Sequence, residues 1–282
     1  MQLPRQSFVA LCLGLGLFGL AKAGYAGPIL YWDMDHVSGT AVGDQAGSGN
    51  VGTAGSGVTF TSPTATTPPL NSSTSTQVAN LTGAGAITSA ANAGTLGISG
   101  NAAKSITVWV DAASSNWAAG TNGVFQLGTT GTNVEDFSLR VKDTAEGGGV
   151  NQWRAQFWGS DTDFTVANSA DHWVNFVLVY DPNHVYSSNN VTVYANGTSV
   201  ATGTQVLNTA SSGENFGVGE WENGNFLTGQ IDDAAVYAAP LSPAQVTALY
   251  GGASPNSVPE PASLALLALG SLGLLTSRRR TA

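Results

Sequence analysis

Apolar residues in this chain recur at period two, in short bursts separated by Gly, Asn, Asp and Ser. That spacing permits little besides antiparallel strands with one face buried. It predicts strands at Ile29 to Met34, Ser105 to Val110, Val124 to Gly128, Phe137 to Val141, Gln152 to Trp158, Trp173 to Tyr180, Val191 to Ala195 and Ile231 to Tyr237. After Val191 to Ala195 stands Asn196-Gly197, the pair a type I′ hairpin turn favours because both central residues take positive φ. One helix is expected, with Ser242 as N-cap, Pro243 at the first helical position, Ala244 to Tyr250 behind it and Gly251 as the stop. Thr61 to Ser75 is rich in Ser, Thr and Pro without a core-forming pattern and reads as a surface loop insertion.

The two ends have a different character. Arg5, the apolar stretch Phe8 to Leu20 and the small residues before Ala23 predict a secretory signal peptide at 1–23, with Ala26 as the alternative cut. The only cysteine, Cys12, lies inside it, so neither disulfide nor thiol chemistry is expected of the exported chain. At the other end, in 258–282, Pro259, Glu260 and Pro261 precede an uncharged run from Ala262 to Ser277 and then Arg278, Arg279 and Arg280. Sixteen residues rising ~1.5 Å each cover ~24 Å, a marginal span of a hydrocarbon core ~30 Å thick. The arginines hold the cytoplasmic side and leave everything before Val258 outside. This order of motif, apolar helix and basic end resembles the PEP-CTERM sorting signal of Gram-negative bacteria. The resemblance implies an exosortase-type processing enzyme as partner, transient inner-membrane anchoring through the C-terminal helix, and delivery to the cell envelope, cell surface or extracellular matrix. A permanent anchor is the alternative. Asn256 to Val258 reads as a short linker.

Between the signals lie residues 24–257, enough for one large domain. Five of the nine basic residues and one of the eighteen acidic residues fall in the terminal segments, which leaves four bases against seventeen acids, a net of −13. Such a surface repels nucleic acid and anionic lipid and is compatible with calcium or neutral glycans.

Four segments of this stretch, taken in order, resemble the laminin-G-like branch of the concanavalin A-like lectin/glucanase fold. They are Leu30 to Asp44, Ser105 to Val110, His172 to Asp181 followed by Val191 to Gly197, and Phe226 to Tyr250. The resemblance implies an all-β, two-sheet antiparallel jelly-roll sandwich whose first and last strands lie side by side. One short C-terminal helix and a separate apolar sorting helix complete the expected fold. No activity follows, because one fold hosts lectins, hydrolases and adhesion modules.

Alternation along Ile231 to Tyr237 puts Asp232 on a face with Ala234 and Val236, and Asp233 on the other with Ala235 and Tyr237. The resemblance implies a calcium ion in this region, with Asp35 and Asp232 as candidate ligands completed by carbonyls and water. The alternative is two aspartates accepting backbone N–H groups without an ion. For a glycan, the expected platform is Trp158 with Arg154, Gln156 and Arg140, since Trp153, Ala155 and Phe157 take the opposite, core-facing side. The competing reading is an edge tryptophan under a loop with solvated arginines. Trp117 and Trp221 are further exposed candidates, whereas Trp109 and Trp173 read as core.

For catalysis, the Glu-x-Asp-x-Glu strand of the glucanases of this fold is missing. Glu220-x-Glu222 and Asp161-x-Asp163 sit in turn contexts and read as solvated loop acids. His36, His172 and His184 follow no metal-ligand spacing. The expectation is an exported, non-catalytic protein that binds polysaccharide or a surface glycan. A structural or adhesive matrix protein binding protein partners is second, and a divergent glycosidase third.

Overall fold

The computed structural model describes residues 27–63, 75–118, 120, 122–222 and 224–258. The signal peptide, Cys12, Pro259, Glu260, Pro261, the apolar run behind them and Arg278, Arg279 and Arg280 lie outside the described residues, as do 64–74 of the Thr61 to Ser75 loop. Among the described residues no helix is long and apolar enough to cross a membrane.

The first strands are β1 (Leu30–Ser38), β2 (Ala41–Asp44), β3 (Gly52–Ala54), β4 (Val58–Thr61), β5 (Val78–Thr82), β6 (Ile87–Thr88) and β7 (Lys104–Ala112). There follow β8 (Gly123–Gly128), β9 (Ser138–Val141), β10 (Gln152–Gln156), β11 (Thr162–Thr165) and β12 (Trp173–Tyr180). The last are β13 (Val191–Ala195), β14 (Thr198–Gly203), β15 (Glu214–Val218) and β16 (Thr228–Tyr237), with helix α1 (Pro243–Tyr250) behind them. Each strand predicted from periodicity is present, and Asn196 and Gly197 both take positive φ between β13 and β14. Helix α1 begins as expected: the Ser242 hydroxyl accepts from Gln245 N, and the Gln245 side chain accepts in return from Ser242 N, a complete capping box.

Hydrogen bonding runs from strand to strand in the order β11-β10-β9-β8-β15-β6-β3-β2-β1-β16-β7-β12-β13-β14. This path doubles back on itself, so that Gln205 beyond β14 donates to the Ser160 carbonyl just before β11. One layer is centred on β10, β9, β8 and β15, the other on β1, β16, β7, β12 and β13, and inward side chains of both fill one core. The expected pairing of first and last strands is present, with Leu30 opposite Val236 and Trp32 opposite Ala234. Aromatic rings tie the layers together. Trp153 of β10 is fully buried, 4.7 Å in centroid distance from Phe176 of β12 and 5.1 Å from Trp117, which it meets edge-on.

Trp117 corrects an expectation. It is 1% exposed, and its indole donates to the Gln152 carbonyl, so it is core and not an exposed loop aromatic. Trp109 and Trp173 are buried as read, but with Val78 on the far side of the β7–β16 layer. The linker reading of Asn256 to Val258 also fails. Tyr237 donates to the Pro255 carbonyl, Asn256 donates to the Gln45 carbonyl, and Val258 is buried in the apolar cluster that contains Tyr31, Tyr237 and Leu249. The folded domain therefore continues to the edge of the sorting motif.

Because the fully buried Trp153 ring reaches from its own layer to Phe176 of the other, Trp153→Ala should cost about 3–5 kcal/mol. Chemical denaturation would show this as a lower midpoint at unchanged slope; a loss below about 1 kcal/mol would mean that the layers are held elsewhere.

Candidate functional site

Period two on β9 and β10 sends Leu139, Val141, Trp153 and Ala155 into the core and Ser138, Arg140, Arg154 and Gln156 to the outer face. The register then places Arg140 directly opposite Arg154 and Ser138 opposite Gln156. Two guanidinium groups facing each other across a ladder repel. The chain resolves this with Glu146, which receives two bonds from Arg140 (2.6 and 2.7 Å) and one from Arg154 (3.4 Å). Glu146 is presented by a 3-10 turn, Thr144–Glu146, that Asp143 caps at its start and Gly147 ends in the left-handed conformation. The sequence reading did not identify Glu146; Asp143 with Gly147 four residues after it is the signal that marks such a turn.

Arg140 is 1% exposed. Its Nε donates to Gln156 (2.9 Å), and its guanidinium lies 4.6 Å from the centre of the Trp221 ring. Trp221 in turn donates its indole N–H to Asp136 (3.0 Å), which also accepts from the Ser138 hydroxyl. Trp158 stands at 6.0 Å from Trp221 and is half-buried. The structure thus groups Arg140 with Gln156, Arg154 and Trp221, and sets Trp158 beside Trp221, which the sequence offered as a separate exposed aromatic and not as part of the platform. It corrects their exposure. Arg140, Gln156 and Trp221 are not solvent-facing, because Trp221 folds down over the guanidinium and closes it from water.

What remains open to solvent is a rim. Arg154 grips Asp163 of β11 with two bonds (2.5 and 3.0 Å), Lys142 reaches the same carboxylate at 2.7 Å, and Asp161 lies 3.6 Å from Arg154. Arg154, foremost, holds the Asp163 carboxyl down at about 2. The reading of Asp161 and Asp163 as merely solvated acids is therefore wrong: both are tied into this rim, Asp161 also accepting from Phe157 N. Loops around it carry non-glycine residues at positive φ, Val134 (60°), Trp158 (60°) and Glu222 (55°). For a β-branched residue such as Val134 that conformation costs energy, and such strain gathers at functional sites.

Glu220 requires a further correction. It is 4% exposed, accepts from Gln126 (3.2 Å), and burial pushes its carboxyl up to about 7. Burial likewise raises Asp136 to about 7 and lowers Lys104, fully buried under the Phe137 and Tyr180 rings, to about 7.

The candidate metal ligands lie at the other layer, where β1 and β16 each carry a bulge, with Met34 and Asp233 at positive φ. The extra residue in β16 overturns the expected faces. Ile231, Ala234 and Val236 point into the core, while Asp232 and Asp233 both turn away from it, to Ser75 and Tyr31. Asp35 accepts from Thr76 N, Thr76 Oγ1 and Gln77 N, and Ser75 next to them donates to Asp232. Burial first, then the charge of Asp233, raises Asp232 well above the usual carboxylate range, and Asp35 adds to it. A polar cavity of about 530 Å³ opens here, lined by Tyr31, Asp33, Asp35, His36 and Asp233 among others. Among the described residues no group of three or more His, Cys, Asp or Glu is arranged as a metal site. An ion between Asp35 and Asp232 therefore has to draw on Ser75, carbonyls and water.

Three buried groups, Asp136 and Glu220 on the platform layer and Lys104 on β7 of the other, set a pH dependence. Raised Asp136 and Glu220 give stability that is fully present below the unfolded carboxylate range and lost as pH rises through about 7. Lowered Lys104 gives stability present above its usual 10.5 and lost as pH falls through about 7. The melting temperature should therefore pass through a minimum near neutrality. Asp136→Asn should shrink the gain seen from pH 7.5 down to pH 5, and an unaltered gain would show that Asp136 is ionised in the fold throughout that window.

The family model described as Concanavalin A-like lectin/glucanases superfamily matches residues 81–247, and the PEP-CTERM protein-sorting motif matches 257–280. No curated protein matches the sequence. Among solved structures, the chain is similar to domain 4 of AbnA, a GH43 extracellular arabinanase from Geobacillus stearothermophilus, in complex with arabinotriose. That likeness has TM-score 0.55 and 18% identity over 80% of this chain and 98% of that one. Trypanosoma rangeli sialidase is similar at TM-score 0.55 and 12% identity, over 79% of this chain but only 32% of the sialidase. The botulinum neurotoxin serotype G binding domain is similar at 0.53 and 14%, over 79% and 50%. These likenesses concern the fold alone; with the family match they place the chain in the concanavalin A-like lectin/glucanase superfamily, carrying at its end a PEP-CTERM motif that marks an exported, surface-directed protein.

Proposed function

We propose that this protein is a non-catalytic glycan-binding component of the cell surface or extracellular matrix of a Gram-negative bacterium. In this reading it enters the export route through its signal peptide and is held transiently in the inner membrane by its C-terminal helix until an exosortase-type enzyme processes it. The observation that carries the binding reading is the rim around β10 and β11: Trp158, half-buried in the loop after β10, lies 6.0 Å from the Trp221 ring that covers Arg140, and the paired charges of Arg154, Asp161, Asp163, Lys142 and Glu146 stand on the same outer layer. Sugars present apolar ring faces edged by hydroxyls that both donate and accept. An aromatic face flanked by fixed donors and acceptors matches that surface. The arabinotriose in the similar arabinanase domain supports a sugar ligand for this size of sandwich.

A specific observation favours a second reading, the divergent glycosidase. Asp136 and Glu220 are buried acids with proton affinities near 7, as a general acid requires. Against it, Asp136 is engaged by Ser138 and Trp221, and Glu220 by Gln126, so these acids lie within the packed floor.

Binding of the full chain, in mild detergent, to immobilised arabinan, galactan and dextran tests the reading. Trp158→Ala should weaken binding about tenfold, the loss of one stacked ring. Equal binding by this variant would move the ligand elsewhere, and release of reducing sugar by the wild type would select the glycosidase.

A calcium ion bridging Asp35 and Asp232 belongs to the same reading. It is supported by the buried Asp232 carboxylate lying within the fields of Asp233 and Asp35, a repulsion that a hard cation relieves. If calcium binds only the folded state, ~100-fold excess over Kd adds ~2.7 kcal/mol and raises the melting temperature. Asp232→Asn should abolish that gain. Equal melting temperatures in calcium and chelator would assign both aspartates to hydrogen bonding alone.

A further inference from the structure

Between the signals this chain has four basic residues, Lys104, Arg140, Lys142 and Arg154. Lys104 is sealed in the core, and the other three stand together on β9, its following residue and β10. A cluster of three cations in a domain of net −13 looks at first like a receptor for acidic sugars. The contacts argue otherwise. Glu146 takes both nitrogens of the Arg140 fork and one of Arg154. Asp163 alone takes Arg154 in two bonds and Lys142 in an ion pair. Asp161 adds a further negative charge 3.6 Å from Arg154.

We propose that Asp163 closes this rim to anionic polysaccharides and makes it selective for neutral glycans. The inference rests on the glycan-binding reading above and names its ligand class. A planar guanidinium–carboxylate pair offers donors beside acceptors with no net charge, which suits neighbouring hydroxyls. A uronate or sulfate arriving there meets three carboxylates before it meets a cation, and has to displace Asp163 to reach Arg154 or Lys142. Asp163 is the decisive group because it occupies two of the three cations while its own side chain is 38% exposed, so it can be exchanged without opening the core.

The test uses the full chain and polygalacturonate as the anionic probe, with arabinan, galactan and dextran as neutral ones. Wild type should ignore polygalacturonate at low salt, and its binding to a neutral glycan should be insensitive to sodium chloride. Asp163→Asn, checked for an unchanged fold by circular dichroism, frees Arg154 and Lys142. It should gain about tenfold or more in affinity for polygalacturonate, a gain erased at high salt. Adding Lys142→Ala should remove part of it. Wild-type binding to polygalacturonate that falls with salt, or a folded Asp163→Asn that gains nothing, would overturn the proposal while leaving glycan binding intact. Gain by the variant with no wild-type binding to any neutral glycan would instead uphold only the closure to anions, and reject both the glycan reading and the selectivity for neutral glycans that rests on it.

Discussion

Taking a guanidinium out of water costs several kcal/mol unless its charge and its donors are met. Arg140 is nearly inaccessible, and the outer face of the β8–β9–β10 layer is organised around that constraint. Each partner that meets Arg140 is itself held. Glu146 comes from a capped turn, Gln156 from the neighbouring strand, and Trp221 from a loop pinned by its indole to Asp136. Space is reserved for that loop as well: a Cβ at Gly123 would fall 2.2 Å from the Glu220 carbonyl carbon, so only glycine lets the two backbones meet. The result is a floor that cannot rearrange cheaply, with a rim of paired charges and one tryptophan above it. Preorganisation of this kind reduces the ordering cost of a ligand.

Much of this was readable beforehand, and the limits have physical causes. Period two on β9 and β10 decided which side chains leave the core, and with it the meeting of Arg140, Arg154 and Gln156. Exposure was not readable, because it depends on groups far along the chain: Trp221 is buried by Asp136, 85 positions away. The two faces of β16 were misread at Asp232 because a bulge inserts one residue, and alternation carries no mark of where that happens. Strands as short as β3 and β6 are too brief for a period to register, and are stabilised by their neighbours. Val258 looked like linker because the apolar cluster it joins takes Tyr31, Tyr237 and Leu249 from three other elements.

The two layers serve different chemistry. Four aspartates, Asp33, Asp35, Asp232 and Asp233, meet where β1 and β16 bulge, at a polar cavity beside the segment that leads into the sorting motif. Cations concentrate at the opposite layer, each matched by a carboxylate. With a net charge of −13 between the signals the domain repels polyanions, and the rim where its cations are matched by carboxylates is neutral and hydrogen-bonding. In the proposed reading, that arrangement suits a hydroxyl-rich polymer better than nucleic acid or anionic lipid.

The most direct measurement is a residue-resolved map of the contact, by NMR of the backbone amides together with the tryptophan indoles and arginine guanidinium groups during titration with a neutral oligosaccharide. Shifts at Trp158 and Arg154, with Trp117 and Trp153 in the core unmoved, are the outcome this account predicts. No movement at Trp158 and Arg154, with shifts at the residues around the cavity of Asp33, Asp35 and Asp233 instead, would contradict it.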